Sequence, residues 1–208
     1  MWEIIQKGGP LMYPIILCSI IALAVIIERF YHLYHAQIDI TKFMDNISNI
    51  LKRNRIMEAI DLCEQTPGPI AHISKSAILK HDRSRQEIKE AMEDAGIYEV
   101  PRLEKNLGAL STIAHIAPLL GLLGTVTGMV RAFQVIQEKA GVSQPVSPGD
   151  LAGGIWEALL TTVAGLMVAI PTLVAYNYLV SRVKGFIVEM ESSGTELVNL
   201  LTQKKEQY

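Results

Sequence analysis

Leu151–Val180 reads LAGGIWEALLTTVAGLMVAIPTLVAYNYLV. About 20 helical residues cover the roughly 30 Å hydrocarbon core of a bilayer, so this run is long enough to cross one. Glu157, Thr161, Thr162, Pro171 and Thr172 lie inside it. A carboxylate in a membrane helix is costly unless it faces protein or water. On insertion scales an acid at a helix centre costs on the order of 3 kcal/mol, and each Leu, Ile or Val returns about 0.3–0.6. The surrounding residues therefore carry Glu157 into the membrane, and insertion alone assigns it no role. Its place near the helix start also suits the N-terminal dipole. Pro171 removes a backbone donor in mid-span and is expected to kink the helix.

A second apolar run, Leu107–Val130 (LGALSTIAHIAPLLGLLGTVTGMV), is interrupted by Ser111, Thr112, His115, Thr125 and Thr127. Ser111, His115, Pro118, Gly121 or Leu122, Thr125 and Gly128 fall at steps of three and four and share one small, polar helical face. Such a face reads in two ways. Small residues let helices pack closely and Ser or Thr hydroxyls bond their own backbone; alternatively the hydroxyls line a path for something small and charged. Thr127 lies off this face and reads as packing. His115 is a candidate proton relay, because histidine is the side chain whose unperturbed pKa lies near neutrality, with hydrogen-bonded scaffold the plainer reading. In the other run Glu157 and Thr161 share a face at i, i+4. Thr162, Gly165, Ala169 and Thr172 form a neighbouring face, about 40–140° away depending on the pair compared.

The chain has 208 residues, 50% of them hydrophobic and 19% charged, with a formal net charge of -2. The apolar residues come in blocks, the mark of a membrane protein. The near-zero charge gives no reason to expect nucleic acid. Cys18 and Cys63 sit in an apolar span and a polar segment respectively, so a disulfide is not expected, and neither has metal-ligand spacing. Both read as packing residues, and no cofactor is implied.

The expected organisation is all-α, with three transmembrane helices and long helical extensions. Residues 1–10, with Trp2, Ile4 and Ile5, form an interfacial segment without the basic and small-residue pattern of a cleaved leader. Residues 11–34 make the first crossing, which carries no buried charge and reads as lipid-facing scaffold, and Tyr31 and Tyr34 suit the headgroup belt. Residues 35–106 form a polar helical segment. Ile40, Phe43, Met44, Ile47 and Leu51 recur at helical spacing, as do Ile56, Ile60 and Leu62. Pro67-Gly68-Pro69 is a stop, and Ser84 to Glu87 is a capping-box signature. From there one long helix is expected to enter the bilayer, with Pro101 as a bend. The second crossing spans 107–134, a loop 135–150, the third crossing 151–181, and an amphipathic C-terminal helix 182–208. Arg29, Arg102, Lys105, Arg182 and Lys184 flank one side of the spans and Lys7, Arg131 and Lys139 the other. This modest bias places the middle segment and tail inside the cell and the N-terminus outside.

The stretches APLLGLLGTVTGMVRAF (117–133) and GGIWEALLTTVAGLMVAIPTLVAYNYL (153–179) resemble the MotA/TolQ/ExbB proton channel family, and the opening WEIIQKGGPLMYPI is similar to the start of ExbB-type members. The match covers all three crossings and the tail and is weaker through the middle segment. Three spans favour the ExbB/TolQ branch. The resemblance implies a homo-oligomeric ring, a pentamer, around a dimer of ExbD/TolR-like single-span partners that supply a membrane aspartate, acting on a TonB/TolA-like envelope protein. It implies a bacterial inner-membrane location, with the N-terminus periplasmic and the middle segment and C-terminus cytoplasmic. Thr125 and Thr162 match the family's pore-lining hydroxyls and Glu157 its acidic position. On an ideal helix Thr162 lies about 140° from Glu157, which makes Thr161 the better geometric companion. The implied function is a proton-channel or stator subunit that turns proton motive force into mechanical work for TonB-dependent transport. The alternatives are a TolQ-like subunit of a Tol-Pal-type machine and a non-conducting membrane scaffold. Enzymatic activity has no support in the sequence, and a solute transporter would call for a repeat that is not visible.

Overall fold

The computed structural model describes residues 7–141, 145 and 147–206. Trp2, Ile4 and Ile5 lie outside the described residues, as do positions 142–144 and 146 of the expected loop and the last two residues of the tail. The seven helices among the described residues are α1 (Met12–His35), α2 (Ile40–Lys52), α3 (Ile56–Gln65), α4 (Pro69–Leu79), α5 (Arg85–Glu104), α6 (Leu107–Gly141) and α7 (Pro148–Glu206). The described residues contain no strand. α1, α6 and α7 each hold a run long and apolar enough to cross a membrane. The chain is an all-helical, multi-pass membrane protein.

The helices divide into two compact units, one drawn from Met1–Glu28 and Asn106–Tyr178, the other from Arg29–Lys105 and Leu179–Tyr208. The first unit turns its large side chains outward: Leu17 and Ile20 of α1, Leu119 and Phe133 of α6, and Met167 and Val174 of α7 are all exposed. Lipid is as apolar as leucine, so these side chains gain nothing by packing on protein. Close approach of backbones is what favours association. Many of the buried positions are accordingly small, among them Ala22, Ala114, Ala117, Ala132, Ala158 and Ala169, beside a few large ones such as Ile15 and Leu110.

The second unit is built as a water-soluble protein is. α2 buries Phe43, Met44, Ile47 and Leu51 along one stripe, and the Asp39 side chain caps it by accepting from the Lys42 N–H at 3.1 Å. Its hydrogen bond with Lys42 holds the Asp39 carboxyl below the usual range. In α3 the expected stripe is off by one step: Ala59 and Cys63 are buried, while Ile60 and Leu62 are only half-buried. This short helix packs on α4, and its small residues allow the closer approach. Gly68 has φ +107°, and a Cβ there would lie 2.6 Å from the Ala36 carbonyl oxygen, so only glycine fits. Pro69 then opens α4 at its first turn. The capping box of α5 is present in both directions: the Ser84 N–H donates to Glu87 Oε2 at 2.9 Å and the Glu87 N–H to Ser84 Oγ at 3.3 Å. The Ser84 hydroxyl and N–H together keep the Glu87 carboxyl below the usual carboxylate range.

The single helix expected from Ser84 into the bilayer is interrupted, and not at Pro101, which lies inside α5. The break is the turn Lys105–Asn106, where Asn106 takes φ 62°. Asparagine tolerates the left-handed region, and its side-chain amide donates to Glu28 Oε2 at 3.0 Å. The Arg102 carbonyl, which an unbroken helix would bond to residue 106, accepts from Arg29 Nη1 at 3.2 Å. Arg29, which the sequence offers as a flanking surface charge, is buried with 1% exposure. α7 runs unbroken through the third span and on to Glu206, with Leu179, Val183, Phe186, Met190, Leu197 and Leu201 as its buried stripe in the second unit.

Cys18 and Cys63 are free thiols, and Cys63 is 1% exposed. Burial pushes the Cys63 thiol up to about 12, against a small opposing pull from Lys75. Cys63 should resist maleimide at pH 8 in the folded protein and react at once in denaturant, because the thiolate is the nucleophile. The linkage has a definite sign. The unfolded chain releases this proton near 9.0 and the folded one near 12, so its contribution to stability is whole below the first value and is lost as pH rises to the second. Mass spectrometry of labelled protein across this range checks both statements.

Candidate functional site

The two polar-studded spans meet as an antiparallel pair within the first unit, along a seam of small residues. A Cβ added at Gly128 would lie 2.6 Å from the Gly154 carbonyl oxygen, and one at Gly154 would lie 2.6 Å from that of Gly128. A Cβ at Gly165 would lie 2.5 Å from the Ala117 carbonyl, and one at Gly121 3.0 Å from Thr162 Cα. Gly124 faces the Thr161 side chain, whose Cβ would be only 2.5 Å from an added methyl. The glycine spacing GLLGTVTG is therefore what brings the two backbones together.

This seam separates the two candidate threonines of α7. Thr161 is sealed inside it at 1% exposure, with its hydroxyl against the carbonyls of Ala158 (2.9 Å) and Glu157 (3.1 Å). Thr162 is half-buried and its hydroxyl lies 3.1 Å from the Gly121 carbonyl of α6 and 3.2 Å from the Ala158 carbonyl. On α6, Thr125 is half-buried and donates to the Leu122 carbonyl at 2.6 Å. It is one turn along from Gly121. A hydroxyl has one proton and two lone pairs. With the proton turned to a carbonyl, Thr125 and Thr162 offer their surroundings only acceptor sites. Such oxygens suit a hydrated proton or the O–H of a neutral carboxylic acid, and not a carboxylate.

His115 is exposed, and its Nδ1 lies 2.6 Å from the Ser111 carbonyl. A carbonyl only accepts, so Nδ1 carries the hydrogen of this contact. Pro118 is half-buried and Pro171 exposed, and helix continues through both. Thr172, next to Pro171, is buried and donates to the Val168 carbonyl at 2.7 Å.

Glu157 is where the geometry adds most to the sequence reading. Its side chain is 14% exposed, and Arg131 Nη1 donates to both of its oxygens, at 2.5 and 2.7 Å. Gly9, at φ +68°, closes the other side, since a Cβ there would overlap Glu157 Oε1. Arg131 stands in the sequence only as one of several flanking cations. The available signal is their place around the two glycines that touch: on antiparallel helices Arg131, three residues past Gly128, and Glu157, three past Gly154, flank the contact from opposite sides, within reach of a long arginine side chain. Among the described residues no group of His, Cys, Asp and Glu is arranged to hold a metal ion.

Residues 65–192 match the sequence model of the MotA/TolQ/ExbB proton channel family. A putative biopolymer transport protein ExbB homolog of Methanothermobacter thermautotrophicus is 30% identical over 190 residues, which is 91% of this chain and 66% of that one. The chain thus spans just under two thirds of that relative's length. A putative ExbB-like 3 protein of Synechocystis is 32% identical over 83% of this chain and 81% of its own. The biopolymer transport protein ExbB of Neisseria meningitidis is 27% identical over 97% of both chains.

Proposed function

We propose, from the premise that this chain belongs to the MotA/TolQ/ExbB proton channel family, that it is the ring-forming channel subunit of an ExbB-type proton-driven motor in a bacterial inner membrane. Five copies surround a dimer of single-span ExbD/TolR-like helices, with the N-terminus periplasmic and the second unit cytoplasmic. The groups that handle the proton are Thr125 and Thr162, with His115 as a relay; Thr161 and Glu157 flank them on the α6–α7 seam. The observation that carries this reading is that Thr125 and Thr162 both spend their proton on a backbone carbonyl while staying half-buried. They accept the hydrogen of the partner's aspartic acid once it is protonated and release it when it ionises. Each charge falling through about 100 mV yields about 2.3 kcal/mol, so several such events drive the partner against the ring and work a TonB-like envelope protein. A TolQ-like role in a Tol-Pal-type machine uses the same site with a different partner and client.

A non-conducting scaffold is the second reading, and the observation in its favour is that Arg131 already neutralises Glu157. The two are separated by reconstituting the purified ring with its partner in liposomes and following the decay of an imposed pH gradient. The channel reading expects decay that stops when the partner's aspartate is replaced by asparagine. A tight liposome with the native partner would establish the scaffold.

A further inference from the structure

We propose that Arg131 is a positioning residue that clasps Glu157 across the Gly128–Gly154 contact of the α6–α7 seam, so that this carboxylate fixes helix register and does not exchange cations. The inference rests on the channel reading above and assigns the acid a part within it. Three observations converge. Arg131 Nη1 reaches both carboxylate oxygens, and a guanidinium does not lose its charge in a protein, so the counter-charge is permanent. The carboxylate is enclosed, with 14% of the side chain exposed and the Gly9 backbone against Oε1. The pair also straddles the contact of Gly128 with Gly154, since on antiparallel helices Arg131 lies one turn to one side of it and Glu157 one turn to the other, so the clasp spans the place where the two backbones are closest. A carboxylate held in this way has neither the open face nor the unbalanced charge that a passing cation needs. The hydroxyls of Thr125 and Thr162 are then the groups left to handle the proton.

The test uses the intact ring with its partner in liposomes, with proton flux and the thermal stability of the ring as separate readouts. Arg131→Glu or Glu157→Arg alone is expected to lower flux at least about tenfold, because each sets two like charges against one another at the enclosed Glu157 position. The exchange of the two charges restores it, and so does the neutral pair R131Q/E157Q. Arg131→Gln alone uncovers the carboxylate, and its flux becomes sensitive to millimolar magnesium, while wild type and the neutral pair stay insensitive. A role in packing alone would not produce that sensitivity. Loss of flux in an assembled R131Q/E157Q ring would put Glu157 on the ion path and overturn the proposal, as would wild-type flux without magnesium inhibition in Arg131→Gln. Should the wild-type complex pass no protons, the channel reading fails by itself. The clasp is then decided by ring stability, which the single changes lower and the charge exchange restores, or which all variants share if the proposal is wrong.

Discussion

Thr162→Ala is expected to stop proton flux through the assembled complex, and Thr125→Ala to do the same, without preventing ring formation. As a structural element each hydroxyl has one proton to donate, Thr125 to the Leu122 carbonyl and Thr162 shared between the Gly121 and Ala158 carbonyls, worth about 1 kcal/mol net and too little to unfold a three-span protein. As a proton-handling group each supplies the acceptor oxygen at the transfer point. Positioned groups of this kind contribute about 10²–10⁴-fold to a proton transfer. The two roles are distinguished by shape-preserving changes. Thr162→Val keeps the volume and removes the oxygen, and should be as inactive as alanine. Thr162→Ser keeps the oxygen, and should recover most of the flux. Gradient decay in liposomes measures all of these, with size-exclusion chromatography to confirm the ring. Wild-type flux from Thr162→Val would remove this residue from the pathway. Thr161→Val should differ in kind, disturbing assembly more than conduction, because Thr161 is sealed against Gly124.

The second large effect concerns neighbouring glycines that respond in opposite ways. Gly154→Leu, or Gly128→Leu, should prevent recovery of a stable ring. The first added atom would come 2.6 Å from a backbone carbonyl of the facing helix, and backbone does not move aside as a flexible side-chain tip does. Overpacking of a tight core usually costs about 1–3 kcal/mol and sometimes more. Here the struck atoms belong to two helices at once, so the upper end is expected. Gly153→Ala should be harmless or slightly stabilising. No atom lies within 4 Å of its would-be Cβ, and alanine is better than glycine in a helix by about 1 kcal/mol. Detergent-solubilised yield and melting temperature decide the matter, and similar outcomes at Gly153 and Gly154 would contradict the seam as described.

Much of the architecture could be read locally. Three crossings, the capping box at Ser84 and Glu87, the stop at Pro67-Gly68-Pro69 and the buried stripe of α2 all depend on residues within a few positions of each other. The short α3 misled because Ile60 and Leu62 look like core while Ala59 and Cys63 occupy it. Size and closeness won over hydrophobicity there. Asn106 gave little warning. A non-glycine residue at positive φ shows as a helix break only once Glu28 and Arg29 of α1 supply partners near it.

By itself, then, the amino-acid order determined which segments are long and apolar enough to cross a membrane and which few polar groups those segments carry. Hydropathy and helical period are properties of a single segment, and no partner is needed to evaluate them. Only the tertiary structure decided that Arg131 answers Glu157 across 26 residues, that Arg29 is interior, and that Thr161 is enclosed while Thr162 is half-buried. Those outcomes depend on how one helix is rotated and shifted against the next. That register is set where glycines let two backbones touch, and no count along one chain segment contains it.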